Sequence, residues 1–238
     1  MPSERFFKLP VEKREKIHAA AMQEFCTVPM EHVSINRIVQ AAGISRGSFY
    51  TYFEDKQDVL QYLMQESRAR ENAYSCQSLL DSKGDIWKTA DLMLEYALEQ
   101  LQKSNVFDLT KNIAVRDGLN PFNEIRKWKA VSAAKQNEEK VKHWEEAEQA
   151  LLNGAVYRGK TEDCFDEEEA LEYFFWKHAD KSKLNVPDFE TMKALVFQCR
   201  LTVMVTVARI LLAPEQKDEA YKMYHRSIQI LQEGVLRK

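Results

Sequence analysis

Between Ser45 and Lys56 the chain brings together Ser45, Arg46, Gly47, Ser48, Tyr50, Thr51, Tyr52 and Lys56. These side chains suit recognition better than covalent chemistry. A guanidinium such as that of Arg46 can donate two parallel hydrogen bonds to one guanine edge. The hydroxyls of Tyr50, Thr51 and Tyr52 and the ammonium of Lys56 can bond phosphate oxygens, which fixes register rather than sequence. Ser45, Arg46, Gly47 and Ser48 crowd a helix N-terminus, where free N–H groups and a partial positive charge favour an anion. Gly47 adds a place where backbone can come close to a ligand. The chemistry is that of contacting a nucleic-acid duplex, with Arg46 as the base reader.

Two short helices must position these groups. Ser34 is a natural N-cap, and from it Ile35, Ile38, Val39 and Ala42 recur at three- and four-residue spacing, one apolar helix face. Gly43 follows where the chain must turn, since glycine takes positive φ without steric cost. Ile44 plugs the corner, and Ser45 caps a second helix, Arg46–Tyr52. Phe49 and Phe53 are four apart and should face inward onto Ile38 and Ala42. The pattern reads as a helix-turn-helix, whose second helix presents its N-terminal residues to the major groove. Ser34 completes the candidate DNA-contacting set. A helix–glycine–helix corner also occurs in all-α proteins that never touch DNA. In that alternative the tyrosines are half-buried packing residues and Arg46 is a solvated charge.

Upstream, Val11–Cys26 reads as a helix with Ile17, Ala20, Ala21 and Phe25 packed on the helix-turn-helix. Residues 1–10 read as an arm, either reaching DNA through Arg5 and Lys8 or frayed. With seven Gly and six Pro in 238 residues, little material is left for a turn-rich β fold. The prediction is all-α: a three-helix head over residues 1–55 and a larger helical body over 56–238.

In the body, Gln57–Ser82 is predicted as a long helix ended by Gly84, with a further helix from Asp85 to about Lys103. Asn105–Phe122 is turn-rich, Asn123 opens a charged helix to about Leu152, and Asp166 caps one containing Tyr173, Phe174, Phe175 and Trp176. Phe189–Leu212 is apolar nearly all round, so it should be buried on all sides. It is followed by a helix from Pro214 to Leu236. Such a pair is either an intrachain core or a subunit interface.

Net charge is −3, yet residues 1–56 hold eight Lys and Arg against seven Asp and Glu. The head is only weakly basic, so binding must rely on a few placed contacts rather than on bulk attraction. No signal-peptide core and no run of about eighteen apolar residues is seen, which predicts a cytoplasmic protein with no membrane span. Cys26, Cys76, Cys164 and Cys199 are scattered and read as reduced thiols. No nucleophile elbow, phosphate loop or dinucleotide fingerprint appears, so no enzyme, catalytic residue or cofactor is expected. His143 and His178 lie far apart, and no metal site is expected.

The stretch RIVQAAGISRGSFYTYFEDKQDVL resembles the TetR family of bacterial transcription regulators, through Ile38, Ala42, Gly43, Ile44, Ser45, Gly47, Phe49, Tyr50, Phe53, Lys56 and Leu60. The resemblance covers roughly the first quarter of the chain and leaves the body unmatched. It implies a homodimer joined through Phe189–Leu212 and Glu215–Leu236. It also implies a palindromic operator in double-stranded DNA and a repressor released by a small effector. Trp87, Tyr96, Phe107, Trp128, Trp144, Tyr157 and the Tyr173–Trp176 run suit an apolar or aromatic effector, though an aromatic at helical spacing is more often core and no contact residues are assigned. The alternative is a dimeric helical adaptor or activator that does not answer to a small ligand.

Overall fold

A computed structural model of the chain describes residues 2–103, 143–156 and 167–235. Among them the elements are helices, with no strand. In chain order they are α1 (Glu4–Phe7), α2 (Val11–Thr27), α3 (Ile35–Ala42), α4 (Arg46–Tyr52), α5 (Lys56–Asp81), α6 (Ile86–Lys103), α7 (Trp144–Leu152), α8 (Glu167–His178), α9 (Phe189–Leu212) and α10 (Lys217–Val235). Two compact units result: of the described residues, one holds 2–67 and 100–103, the other Arg68–Glu99 and those from His143 onward. The predicted features at Asn105–Phe122, most of the charged helix from Asn123, Phe107, Trp128, Tyr157, Cys164 and the Asp166 cap lie outside the described residues.

The first unit is built on the apolar faces that the spacing predicts. Ile17, Ala20, Ala21 and Phe25 of α2 meet Ile38, Val39 and Ala42 of α3, with Phe49 and Phe53 closing the core. The same core takes in Val59, Tyr62 and Leu63 of α5, so this unit runs past Lys56 into that helix. Gly43 sits at φ +66° with no atom near its Cβ position, so conformation rather than space demands glycine there.

The N-terminal arm differs from expectation. It is neither frayed nor extended. It folds into α1 and docks on the end of α4. Ser3 donates from its N–H to the Tyr52 carbonyl at 2.8 Å and from its hydroxyl to the Thr51 carbonyl at 2.7 Å. Both acceptors are carbonyls that a helix C-terminus leaves without intrahelical partners. Phe6 is fully buried, its ring 4.9 Å from Phe53 and 5.0 Å from Tyr62. Burying one such ring contributes about 2–3 kcal/mol, enough to hold a short segment in place.

In the second unit α5 ends in a left-handed turn, with Lys83 at φ +57° and Gly84 at φ +83°. Gly84 donates to the Leu79 carbonyl at 2.8 Å and accepts from Asp180 N–H at 2.9 Å. A Cβ at Gly84 would come within 2.4 Å of Asp180 N and 2.7 Å of His178 O. The turn therefore packs backbone to backbone against the end of α8. Asp85 caps α6 by accepting from Trp87 and Lys88 N–H, both at 3.0 Å. Cys76, Leu79, Ile86, Ala90 and Leu94 share one core with Trp144, Leu151, Phe174, Leu195 and Tyr224. From α7 to α10 each helix packs on the next. Asp188 caps α9 through the Thr191 N–H and hydroxyl, at 2.8 and 2.7 Å. Those bonds hold its carboxyl below the ordinary range.

Two expectations for the last helices are corrected. Helix α9 is buried on one face, not all round. Met192, Leu195, Val196, Cys199, Val203, Thr206 and Ile210 point inward, while Met204, Val205 and Leu212 are 43%, 44% and 67% exposed. Met223 and Ile230 of α10 are exposed too. A single layer of neighbours cannot cover both sides of so apolar a helix. Phe189–Leu212 is long and apolar enough to cross a membrane by length and composition, a test that a core helix of a soluble protein also passes. Its inner face belongs to the core of the second unit. Pro214–Gln216 forms a 3₁₀ turn, so the last α-helix starts at Lys217 rather than Pro214.

Candidate nucleic-acid interface

Helices α3 and α4 present the candidate contacts on the surface of the first unit. Ser34 caps α3, its hydroxyl 3.5 Å from Arg37 N–H. Ser45 caps α4 more tightly, accepting from Ser48 N–H at 3.0 Å, with the Ser45 and Ser48 hydroxyls 2.9 Å apart. Capping thus engages the Ser34 and Ser45 side-chain oxygens with N–H groups of the first turn of each helix. Gly47 has only the Ser45 Oγ near its Cβ position, at 3.8 Å. An alanine would fit within the chain, so any demand for glycine comes from outside it.

Arg46 and Tyr50 stand exposed beside each other. Arg46 Nη1 donates to Asn36 Oδ1 at 2.9 Å, and Nη2 to the Tyr50 hydroxyl at 3.3 Å. The guanidinium lies 5.7 Å from the Tyr50 ring centroid. Val33, Ser34, Ile35, Asn36, Arg46 and Lys56 line one shallow cleft between the two helix starts. Thr51 is exposed, but its hydroxyl donates back to the Gly47 carbonyl at 3.0 Å.

Two predicted contacts take other positions. Tyr52 does not point outward: it is buried, its ring 6.0 Å from that of Phe6. The docking of α1 over the end of α4 is the reason. Lys56 is half-buried, and its Nζ donates to the Met30 and Glu31 carbonyls at 2.7 and 3.2 Å. It fastens the 3₁₀ turn Met30–His32 that leads into α3.

An ion pair that spacing alone did not reveal links α2 to α3. Glu24 is buried. It accepts from Ser34 N–H at 2.8 Å and from Arg37 Nε at 2.8 Å. Arg37 also donates to the His32 carbonyl at 2.7 Å. The Arg37 hydrogen bond, opposed by desolvation and aided by the Ser34 N–H, holds the Glu24 carboxyl below its ordinary value. A signal was present: Glu24 falls in helical register with Ile17, Ala20 and Ala21, where an apolar residue belongs.

Among the described residues no group of three or more His, Cys, Asp or Glu could hold a metal. Cys26, Cys76 and Cys199 are buried, reduced thiols. Burial pushes the Cys76 and Cys199 thiols up to about 12, far from the depressed values of reactive cysteines.

Residues 17–63 match the sequence model described as bacterial regulatory proteins, tetR family. An HTH-type transcriptional regulator of Staphylococcus aureus strain bovine RF122 / ET3-1 is 36% identical over 55 residues, 23% of this chain and 30% of that protein. One from strain USA300 is 37% identical over 54 residues, 23% of this chain and 29% of that protein. The match thus spans under a third of these relatives. Among solved structures, a chain from Shewanella sp. PV-4 assigned to the tetR family has a TM-score of 0.50 at 15% identity, covering 95% of this chain and 99% of that one. At that identity the likeness concerns the fold alone. Through residues 17–63, the N-terminal helix-turn-helix unit is similar to that of the bacterial regulators of the TetR family.

Proposed function

We propose that this protein is a homodimeric, sequence-specific DNA-binding transcription regulator of the cytoplasm, a repressor that leaves a palindromic operator when a small apolar or aromatic effector binds. The observation that carries the DNA-binding part is the exposed start of α4. There Arg46, Gly47 and Tyr50 stand clear of the core on a corner fixed by Gly43, within the segment that matches the family. Ser34, Ser45, Ser48 and Thr51 supply neighbouring polar groups for phosphates. Tyr52 and Lys56 act from behind, by fixing α4 and the turn before α3.

The dimer reading rests on α9 and α10. Met204, Val205, Leu212, Met223 and Ile230 are exposed, and the partner's same helices would cover them in an isologous contact. Two heads so joined read two half-sites one helical turn apart. The effector and the repressor sense rest on the family resemblance and on the aromatic content of the body. Functionally, the proposed division is a DNA-reading head and a ligand-binding and dimerisation body. An effector that favours one arrangement of α5 by a few kcal/mol suffices to release DNA.

Binding of the purified chain to a pool of random-sequence duplexes tests the first part. A mobility shift at low salt that fades as salt rises is expected. A pool left unshifted at low salt contradicts DNA binding. Sedimentation of the free chain tests the second: it should run as a dimer, and a Met204→Asp, Ile230→Asp chain as a monomer.

A further inference from the structure

We infer that Asn36, on the first helix of the motif, is a specificity-determining residue that acts by holding the Arg46 guanidinium in reading position. This rests on the proposed function, and deepens it. The guanidinium is bracketed from two sides. Asn36 Oδ1 accepts from Nη1 at 2.9 Å, and the Tyr50 hydroxyl from Nη2 at 3.3 Å. A long side chain at an exposed helix start is otherwise free to sweep through many rotamers, and ordering it on contact costs entropy. Here the ordering is supplied in advance by a residue from a different helix. A guanidinium has five N–H donors. Two used inside the protein leave enough for a two-bond contact to the O6 and N7 of one guanine.

The acceptor must be the carboxamide oxygen, because arginine offers donors only. The bond thereby fixes which way the Asn36 amide faces as well. Its Nδ2 is turned away from the cation. Asn36 is itself exposed and lines the same cleft as Arg46. It has no part in the core, so its contribution is to the reader and not to the fold. Arg37, next in sequence, is committed instead to Glu24 and the His32 carbonyl. The pairing of Arg46 with Asn36 is therefore specific to one position on α3.

The test is a double-mutant cycle read as base discrimination. The wild-type chain selects a site from a random duplex library, and every base pair of that site is then varied in turn. Asn36→Ala, Arg46→Ala and the double variant are measured on the same set, with an unrelated duplex as control. Arg46→Ala should lose about tenfold discrimination at one base pair of each half-site, the scale of one bidentate contact. Asn36→Ala should lose about three- to tenfold at that same base pair, keep its preference elsewhere, and bind the unrelated duplex as wild type does. In the Arg46→Ala background, Asn36→Ala should change nothing further. An Asn36→Ala chain that discriminates as wild type does at every position overturns the inference and leaves the proposed function intact. So does a loss of equal size with and without Arg46, since Asn36 would then be acting alone. A wild-type chain that selects no site overturns both.

Discussion

Replacing Glu24 by glutamine removes one negative charge and leaves the shape of the side chain nearly unchanged. In the native head that carboxylate sits among donors: Ser34 N–H at 2.8 Å and the Arg37 guanidinium, with Nε at 2.8 Å. A glutamine can still accept from Ser34, but its amide nitrogen then faces Arg37, donor against donor. Losing hydrogen bonds to a charged group costs about 1.5–3 kcal/mol. Breaking a fully buried pair costs about 3–5 kcal/mol. Arg37 is half exposed, so water covers part of its stranded charge, and the lower range applies. The expected loss is about 2 kcal/mol, borne by the head. Hydrogen exchange of peptides from α2 and α3, followed by mass spectrometry, reads it locally. Those amides should exchange about thirtyfold faster in Glu24→Gln than in wild type at neutral pH, by the tenfold per 1.36 kcal/mol relation. The pH dependence has a definite sign. The folded carboxyl lies below its ordinary 4.5, so its contribution is complete above 4.5 and fades as pH falls through the folded value. The gap between the two proteins should close on acidification. Equal exchange at neutral pH, or a gap that persists undiminished once wild-type Glu24 is protonated, would show that the Glu24 charge does not stabilise the head.

Other perturbations probe the second unit and the arm. Gly84→Ala must accommodate a positive φ and a Cβ 2.4 Å from Asp180 N, so thermal unfolding should show a loss of about 2 kcal/mol or more. Phe6→Ala should cost about 3 kcal/mol, the low end for a buried ring, because α1 can lift off without opening the core behind it. Peptides over Thr51 and Tyr52 should then gain exchange, and unchanged protection there would contradict the docking. Cys76 and Cys199, with thiols near 12, should resist iodoacetamide at pH 8 in the native protein and react after denaturation; rapid native labelling would show them accessible.

The helices of the head were legible because each carries its own punctuation. Ser34 and Ser45 are caps, Gly43 is a left-handed corner, and Ile38, Ala42, Phe49 and Phe53 repeat at helical spacing. What remained hidden depends on contacts between segments. Tyr52 reads as a surface hydroxyl until α1 covers it, and nothing local says that Phe6 will find Phe53 and Tyr62. Lys56 reads as a free cation until the turn at Met30–His32 brings two carbonyls to it. Glu24 was visible only as a charge on an apolar face, a conflict that signals a buried partner without naming Arg37. In the body, the apolar composition of Phe189–Leu212 suggested burial on every side. Among the described residues only one of those sides is buried. The contact between Asn36 and Arg46 joins two helices across the corner and has no signature in spacing.

Selection of binding sites from a random double-stranded library, by the full chain at two salt concentrations, tests whether α3 and α4 read DNA. An enriched palindrome is expected, with half-sites about one helical turn apart and affinity that falls as salt rises. No enrichment at either salt would contradict this expectation, and α3 and α4 would then be a helical corner retained for some purpose other than reading DNA.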